Sequence, residues 1–290
     1  MIFATGATRA FKDPVSTCIV KLILTLEPNL WAVGTGFVLS GPEGPCLATA
    51  FHNLSGGISA QARFGAHIPP RPVLVDVVYA GESVAHFMPY ADGKSLFRVH
   101  KNLMTRSGDY QCDVAVMDMA LLRSHITDKA DDNPLWEQKG ICAMHADCAD
   151  AYVQGEDMFL PAGRSVLVFG FPGGRDFNGQ PIAVSGSIAA HDGDTAPYLL
   201  LSGHTSAGCS GGPVVAREFG GYFRHEKECL IRHTPSAPLV DQWIGLYSGR
   251  LEPAANATAN KGPQEITQVG VVWSAQTVRS VVQFGVCDRL

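Results

Sequence analysis

Ser206-Ala207-Gly208-Cys209-Ser210-Gly211-Gly212-Pro213-Val214-Val215-Ala216 sets one serine inside a glycine-rich turn that runs straight into a hydrophobic strand. Glycines on both sides let the backbone turn sharply and bring two N–H groups toward one point. A serine hydroxyl is weakly nucleophilic at neutral pH. It needs a base to take its proton and nearby donors to stabilise the oxyanion that forms. A bare G-x-S-G is commonly no more than a strand-connecting turn, but the Gly-Gly-Pro-Val-Val that follows favours a displayed nucleophile.

A base and a carboxylate both stand upstream of Ser210. Cys46-Leu47-Ala48-Thr49-Ala50-Phe51-His52-Asn53-Leu54 is a short apolar run that ends on a histidine and passes into Ser55-Gly56-Gly57, a loop signal, so His52 is expected at a strand end. Gln111-Cys112-Asp113-Val114-Ala115-Val116-Met117 starts a hydrophobic strand with a carboxylate, which has little reason to be there without a partner. Asp113 is therefore expected to hold one tautomer of His52 and to stabilise the imidazolium formed when Ser210 gives up its proton.

In chain order, T-A-F-H, D-V-A-V and G-C-S-G-G-P resemble the signatures T-A-[AG]-H, D-[IL]-A-L and G-D-S-G-G-P of chymotrypsin-like serine proteases. Ser165 to Gly174, followed by Val184-Ser185-Gly186-Ser187-Ile188, resembles the second-barrel opening of Deg-type bacterial proteases. Gly270-Val271-Val272-Trp273 and Thr277 to Val282 look like their closing strand and helix. The resemblance extends over about residues 18–285, strongly at the three motifs and loosely elsewhere. It implies an all-β fold of two six-stranded antiparallel β-barrels with a short C-terminal helix, His52 and Asp113 in one barrel and Ser210 in the other. One peptidase domain would then span 1–290, with an N-terminal barrel at about 15–125, an inter-barrel segment at about 126–160, and the C-terminal barrel and helix at about 161–290.

Composition agrees with that class. The 290 residues are 46% hydrophobic, enough for real cores. Short strand candidates at 18–25, 31–39, 72–79, 166–169, 198–202, 212–216 and 243–247 are separated by Gly, Pro, Asn and Asp. Long helical periodicity is scarce before 275–284, where Val278, Val281 and Val282 share one face. The net charge of −5 and the lack of a basic cluster argue against nucleic acid as a main partner. No stretch approaches the ~20 apolar residues of a membrane span, so no membrane partner is expected. The N-terminus lacks a secretory layout, which favours the cytoplasm unless a leader was removed. No PDZ-like extension follows the terminal helix.

The eight cysteines permit disulfides without demanding them. Cys18, Cys112 and Cys209 fall in or against β elements, where a thiol behaves as a small hydrophobe. Cys142-x2-His145-x2-Cys148 has the look of a metal motif, yet no second ligand pair stands at a usual spacing, and neither a metal nor a cofactor is expected. The cysteines paired in secreted relatives are replaced here by Asn53 and Ser206, which favours a reducing compartment. Asn53-Leu54-Ser55 also forms a glycosylation sequon where a glycan would obstruct His52. Cys209 stands where zymogen-activated relatives carry an aspartate that pairs with the new amino terminus. Activity is therefore expected not to require N-terminal cleavage. Cys209 as nucleophile is a rival that the Gly-Gly-Pro register disfavours.

The resemblance further implies a mechanism and a pocket. Ser210 attacks a peptide carbonyl, His52 relays the proton, and the Gly208 and Ser210 N–H groups form the oxyanion hole. Gly245 to Arg250 resembles the strand that bounds the primary specificity pocket, with Ser248 near Asp113. By the same register His204 lies at or near the pocket floor, with Tyr247 and Arg250 close to its wall. No acid occupies that floor, so a preference for Lys or Arg is not expected. His204 and Arg250 either favour an acidic side chain or point to solvent or satisfy local hydrogen bonds. The expected partner is a protein or peptide substrate, and an unrestrained cytoplasmic protease calls for narrow specificity or a regulating protein. Two other classes fit parts of the pattern. One is a catalytically silent binding module whose loops around 217–241 and 251–265 block a groove; the other is an esterase, although the strand-helix alternation around a G-x-S-x-G elbow is missing.

Overall fold

The computed structural model describes residues 13–56, 71–101, 112–126, 139–144, 153–154, 158–191, 196–226, 229–234, 239–250 and 268–289. His145, Cys148, the loop 251–265 and most of the passage 126–160 lie outside the described residues.

The first group of strands is β1 (Ile19–Glu27), β2 (Leu30–Gly41), β3 (Gly44–Thr49), β4 (Leu74–Tyr79), β5 (Glu82–Phe87), β6 (Tyr90–Ala91), β7 (Lys94–Val99) and β8 (Ala115–Asp118). A short helix α1 (Phe51–Ser55) follows β3, and α2 (Met119–Ile126) follows β8. The second group is β9 (Val153–Gln154), β10 (Ser165–Gly170), β11 (Ile182–Ala190), β12 (Tyr198–Gly203), β13 (Pro213–Phe219), β14 (Tyr222–Glu226), β15 (Cys229–His233), β16 (Leu239–Arg250) and β17 (Val269–Ser274). The chain closes with α3 (Ala275–Phe284) and β18 (Val286–Arg289).

Strand order exposes a repeat that residue patterns do not. The N-terminal sheet contains the neighbours β4-β1-β2-β3-β8-β7, and the C-terminal sheet contains β13-β10-β11-β12-β17-β16. Numbered among these six strands in chain order, both read 4-1-2-3-6-5. In the C-terminal half β13 also pairs with β16, which closes a six-strand barrel, while β9 adds to β16 in parallel. Among the described residues the N-terminal path ends instead at β5, which extends β4, and at β18, which pairs with β7. The β14–β15 hairpin forms its own two-stranded sheet.

Successive side chains of a strand point to opposite faces, and here both faces are often apolar. Val20, Leu22 and Val38 enter a core wrapped by the N-terminal sheet, with Leu47, Val75, Phe97 and Met117. Val166, Val168, Val214 and Val272 fill the closed barrel. The alternate residues Ile19, Phe37, Phe169, Val215 and Trp243 meet in a third core between the halves. That middle core explains why these strands read as continuous hydrophobic runs rather than as alternating patterns.

The apolar face of α3 closes this middle core through Val278, Val281 and Val282. Its bounds follow from capping: the Ser274 hydroxyl accepts from the Thr277 N–H at 3.2 Å, and Gly285 follows Phe284. His52, expected at a strand end, lies three residues past the end of β3, inside α1, because the chain stays extended through Ala50 (φ −67°, ψ 137°) and turns helical at Phe51.

Arg217, on the strand that issues from the Ser210 turn, anchors the far end of β13. Its guanidinium donates to Asp241 Oδ1 and Oδ2, both at 2.7 Å, and to both oxygens of Asp13 near the chain start. Burial holds the Asp241 carboxyl above its ordinary value even with Arg217 beside it. Removing one partner of such a pair leaves an uncompensated buried charge. Arg217→Met is expected to cost about 3–5 kcal/mol in urea denaturation, with most of the loss recovered in Arg217→Met/Asp241→Leu. A single variant within about 0.5 kcal/mol of wild type would show that the pair does not hold this strand.

Candidate active site

The Asp113 carboxylate is 3% exposed, and three donors meet it. The His52 N–H donates to Oδ1 at 2.8 Å, and the His52 ring Nδ1 lies 2.7 Å from Oδ2. The Ser248 hydroxyl, from β16 of the barrel, donates to the same Oδ2. An ionised carboxylate only accepts, so Nδ1 carries the hydrogen and Nε2 is left with its lone pair. Burial of the ring works against its charged form. The Asp113 charge and hydrogen bond outweigh that and hold the His52 imidazole above its ordinary value.

His52, Ser210, Ser248 and Gly208 line one groove of about 480 Å³. Among the described residues no hydrogen bond joins Ser210 to His52. Such bonds are often long without substrate and tighten on binding.

Two peptide planes orient the turn that carries Ser210. Gly173 N–H donates to the Ala207 carbonyl at 2.6 Å, and Gly212 N–H donates to the Cys209 carbonyl at 2.9 Å. In a trans peptide the N–H points opposite to the C=O. The Gly208 N–H is therefore turned away from Gly173, and the Ser210 N–H away from Gly212. Gly208 reaches this arrangement with φ +93°, where a Cβ would collide with the Phe171 carbonyl, so only glycine serves there. The turn can present two backbone donors without any contribution from a freed amino terminus.

Cys209 is fully buried within the barrel core, and burial pushes its thiol up. A thiol in that setting stays protonated and cannot reach the groove. The register that favoured Ser210 and the burial of its neighbour agree.

The pocket residues are distributed unevenly. Tyr247 and Arg250 line the groove, but the Tyr247 hydroxyl is bonded to the Thr205 hydroxyl and the Arg250 guanidinium donates to the Thr205 carbonyl. His204 is exposed and does not line the groove; its neighbour Thr205 points inward instead. Among the described lining residues there is no carboxylate. The opposite wall is apolar, built from Leu24, Leu26, Ala32, Val33 and Pro72. The first four lie on β1 and β2, whose strand-like patterns carry no mark of a groove.

Thr35 was also not singled out, although it lies at the centre of the junction. Fully buried on β2, it donates its N–H to the Ser210 carbonyl at 2.9 Å and its hydroxyl to the Gly208 carbonyl at 2.6 Å. A polar residue between two glycines inside an apolar strand, Gly34-Thr35-Gly36, was the available signal. Asn53, which the sequence marks as a sequon and as the replacement of a paired cysteine, is 4% exposed, with its amide nitrogen 2.9 Å from the Ser210 carbonyl. A glycan on that nitrogen is incompatible with the contact.

Among the described residues seven cysteines are free thiols, no group of acidic, His or Cys side chains could hold a metal ion, and no helix is long and apolar enough to cross a membrane.

No protein-family model and no curated protein sequence matches the chain. Among solved structures it is similar to the active form of the Rv3671c protease from M. tuberculosis, at 17% identity over 92% of this chain and 80% of that one, with a TM-score of 0.42. It is similar to the protease Anisep from Arthrobacter nicotinovorans at 17% identity over 93% and 95% of the two chains, TM-score 0.45. A third similarity is to the HtrA-type protease AlgW with a tripeptide, at 13% identity and TM-score 0.44 over 92% of this chain but only 61% of that one. At identities this low, what the chain does has to be argued from its own site.

Proposed function

We propose that the chain is a serine endopeptidase that hydrolyses peptide bonds through an acyl-enzyme, with Ser210 as nucleophile, His52 as general base and acid, and Asp113 as the residue that orients and charges the imidazole. The observation that carries this reading is the buried Asp113 carboxylate on His52 Nδ1, which leaves Nε2 able to accept a proton in the groove that Ser210 lines.

In the first half-reaction the Ser210 Oγ–carbonyl bond forms as the hydroxyl proton passes to His52 Nε2. The C–N bond then breaks as Nε2 returns that proton to the leaving amine. Water repeats the sequence on the ester, releasing the acid and restoring the Ser210 hydroxyl. Asp113 keeps its hydrogen bond to His52 Nδ1 throughout and takes no proton itself. The Gly208 and Ser210 N–H groups receive the oxyanion, where one such donor typically contributes about 100-fold or more in rate. Cys209 in place of an acid leaves no partner at that position for a freed amino terminus, and Thr35 and Gly173 hold the turn instead. Activity is accordingly independent of N-terminal cleavage.

A fluorophosphonate probe is expected to label purified, uncleaved wild type at Ser210, located by mass spectrometry, and to leave Ser210→Ala unlabelled. Labelling at another residue, or none, would remove this reading. Cleavage of a peptide library then separates an endopeptidase from an esterase.

The pH dependence follows from the imidazole. Only neutral His52 can take the Ser210 proton, so the labelling rate is expected to fall as pH drops through a midpoint above 6.5. Asp113→Asn removes the charge that raises the imidazole and loses the correct tautomer. It is expected to slow labelling by roughly 10³–10⁴-fold and to move the acid limb to lower pH. An acid limb unmoved by Asp113→Asn would show that His52 is not the titrating base.

A further inference from the structure

The residue beside the base reaches across to the nucleophile. Asn53 lies on α1, next to His52, while Ser210 belongs to the turn between β12 and β13 of the C-terminal barrel. Its Nδ2 donates to the Ser210 carbonyl at 2.9 Å and to Thr49 Oγ1 at 3.0 Å. The Thr49 hydroxyl donates onward to the Thr35 carbonyl at 2.7 Å, and the Thr35 N–H returns to the Ser210 carbonyl at 2.9 Å. These four bonds form a closed ring through Ser210, Asn53, Thr49 and Thr35. A carbonyl oxygen only accepts, so the orientation of the Asn53 amide is dictated chemically.

The surroundings are shaped to this side chain. A Cβ on Gly34 would stand 2.6 Å from Asn53 Nδ2 and 2.7 Å from its Cγ, so glycine at 34 is what leaves the amide room. Both lone pairs of the Ser210 carbonyl are thereby engaged from the N-terminal sheet and α1. That carbonyl belongs to the residue whose Oγ and N–H both face the reaction.

We infer that Asn53 is a positioning residue: its side-chain amide, given room by Gly34, fixes the Ser210 backbone so that nucleophile and oxyanion donor are held relative to the neighbouring His52. This rests on the endopeptidase reading for its catalytic meaning, though not for the clamp itself. Asn53 touches no reacting atom. It couples the two halves at the one place where a displacement of about 1 Å would separate base from nucleophile.

The test uses the full chain and two readouts, fluorophosphonate labelling rate and hydrogen exchange of residues 206–213, on wild type, Asn53→Asp, Asn53→Leu and Gly34→Ala. Asn53→Asp keeps the shape and removes the donors. All three variants are expected to exchange faster in that segment and to label about tenfold more slowly, the scale of one buried hydrogen bond. With a peptide substrate, kcat falls while KM changes little. Gly34→Ala acts by displacing the same amide, so Gly34→Ala/Asn53→Leu is expected to be little slower than either single variant. Wild-type labelling and exchange in Asn53→Asp would overturn the inference. If wild type itself is not labelled, the endopeptidase reading falls, and unchanged exchange in Asn53→Asp still overturns the clamp. If Asn53→Leu does not fold, Asn53→Asp and Gly34→Ala decide.

Discussion

A carboxylate with 3% exposure cannot remain charged without donors, and the donors of Asp113 come from both halves of the molecule. His52 supplies its backbone N–H and ring from α1 of the N-terminal half; Ser248 supplies a hydroxyl from β16 of the barrel. The two sheets therefore have to meet at one edge with little tolerance. The middle core of Phe37, Phe169, Trp243 and the α3 valines is the apolar surface that holds them in that relation.

The turn that presents Ser210 meets the same constraint from the other side. Its carbonyls are gripped by groups that lie far away in sequence: Thr35 on Gly208 and Ser210, Gly173 on Ala207. At Cys209 the turn buries a thiol, and the bonds that hold the turn are neutral hydrogen bonds made where the halves meet.

The repeated strand order explains how a β protein of this length brings His52 and Ser210 to one groove. Each half places one of them after the third of its six repeated strands. β3 leads into α1 and His52, and the turn after β12 leads through Ser210 into β13. The closure differs between the halves: β13 pairs with β16, whereas the N-terminal path ends at β5 and β18. The last strand of the chain thus pairs with β7 and ties the C-terminus to the first half.

Much of the site was legible locally. The glycine-rich turn at Ser210, the apolar approach to His52 and the acid opening the run at Asp113 are each short-range patterns, and the α3 bounds follow from Ser274 and Gly285. Many of the strands were legible because turn residues punctuate them, although β5, β6, β7, β9, β14, β15 and β18 did not stand out. Ser248 beside Asp113 followed from the resemblance, but the other contacts joining residues more than a hundred positions apart could not be read. Thr35 looks like any strand threonine, and Asn53 like a sequon. Leu24, Leu26, Ala32 and Val33 look like core. His204, assigned to the pocket by register, is exposed because Thr205 takes the inward position. The sequence by itself determined the β class, the three chemical groups and the turn able to display one of them, since these depend on backbone propensity within a few residues. Only the tertiary structure decided which surfaces meet, which carbonyls are gripped and what lines the groove, because those depend on how two separately wrapped cores dock through a third.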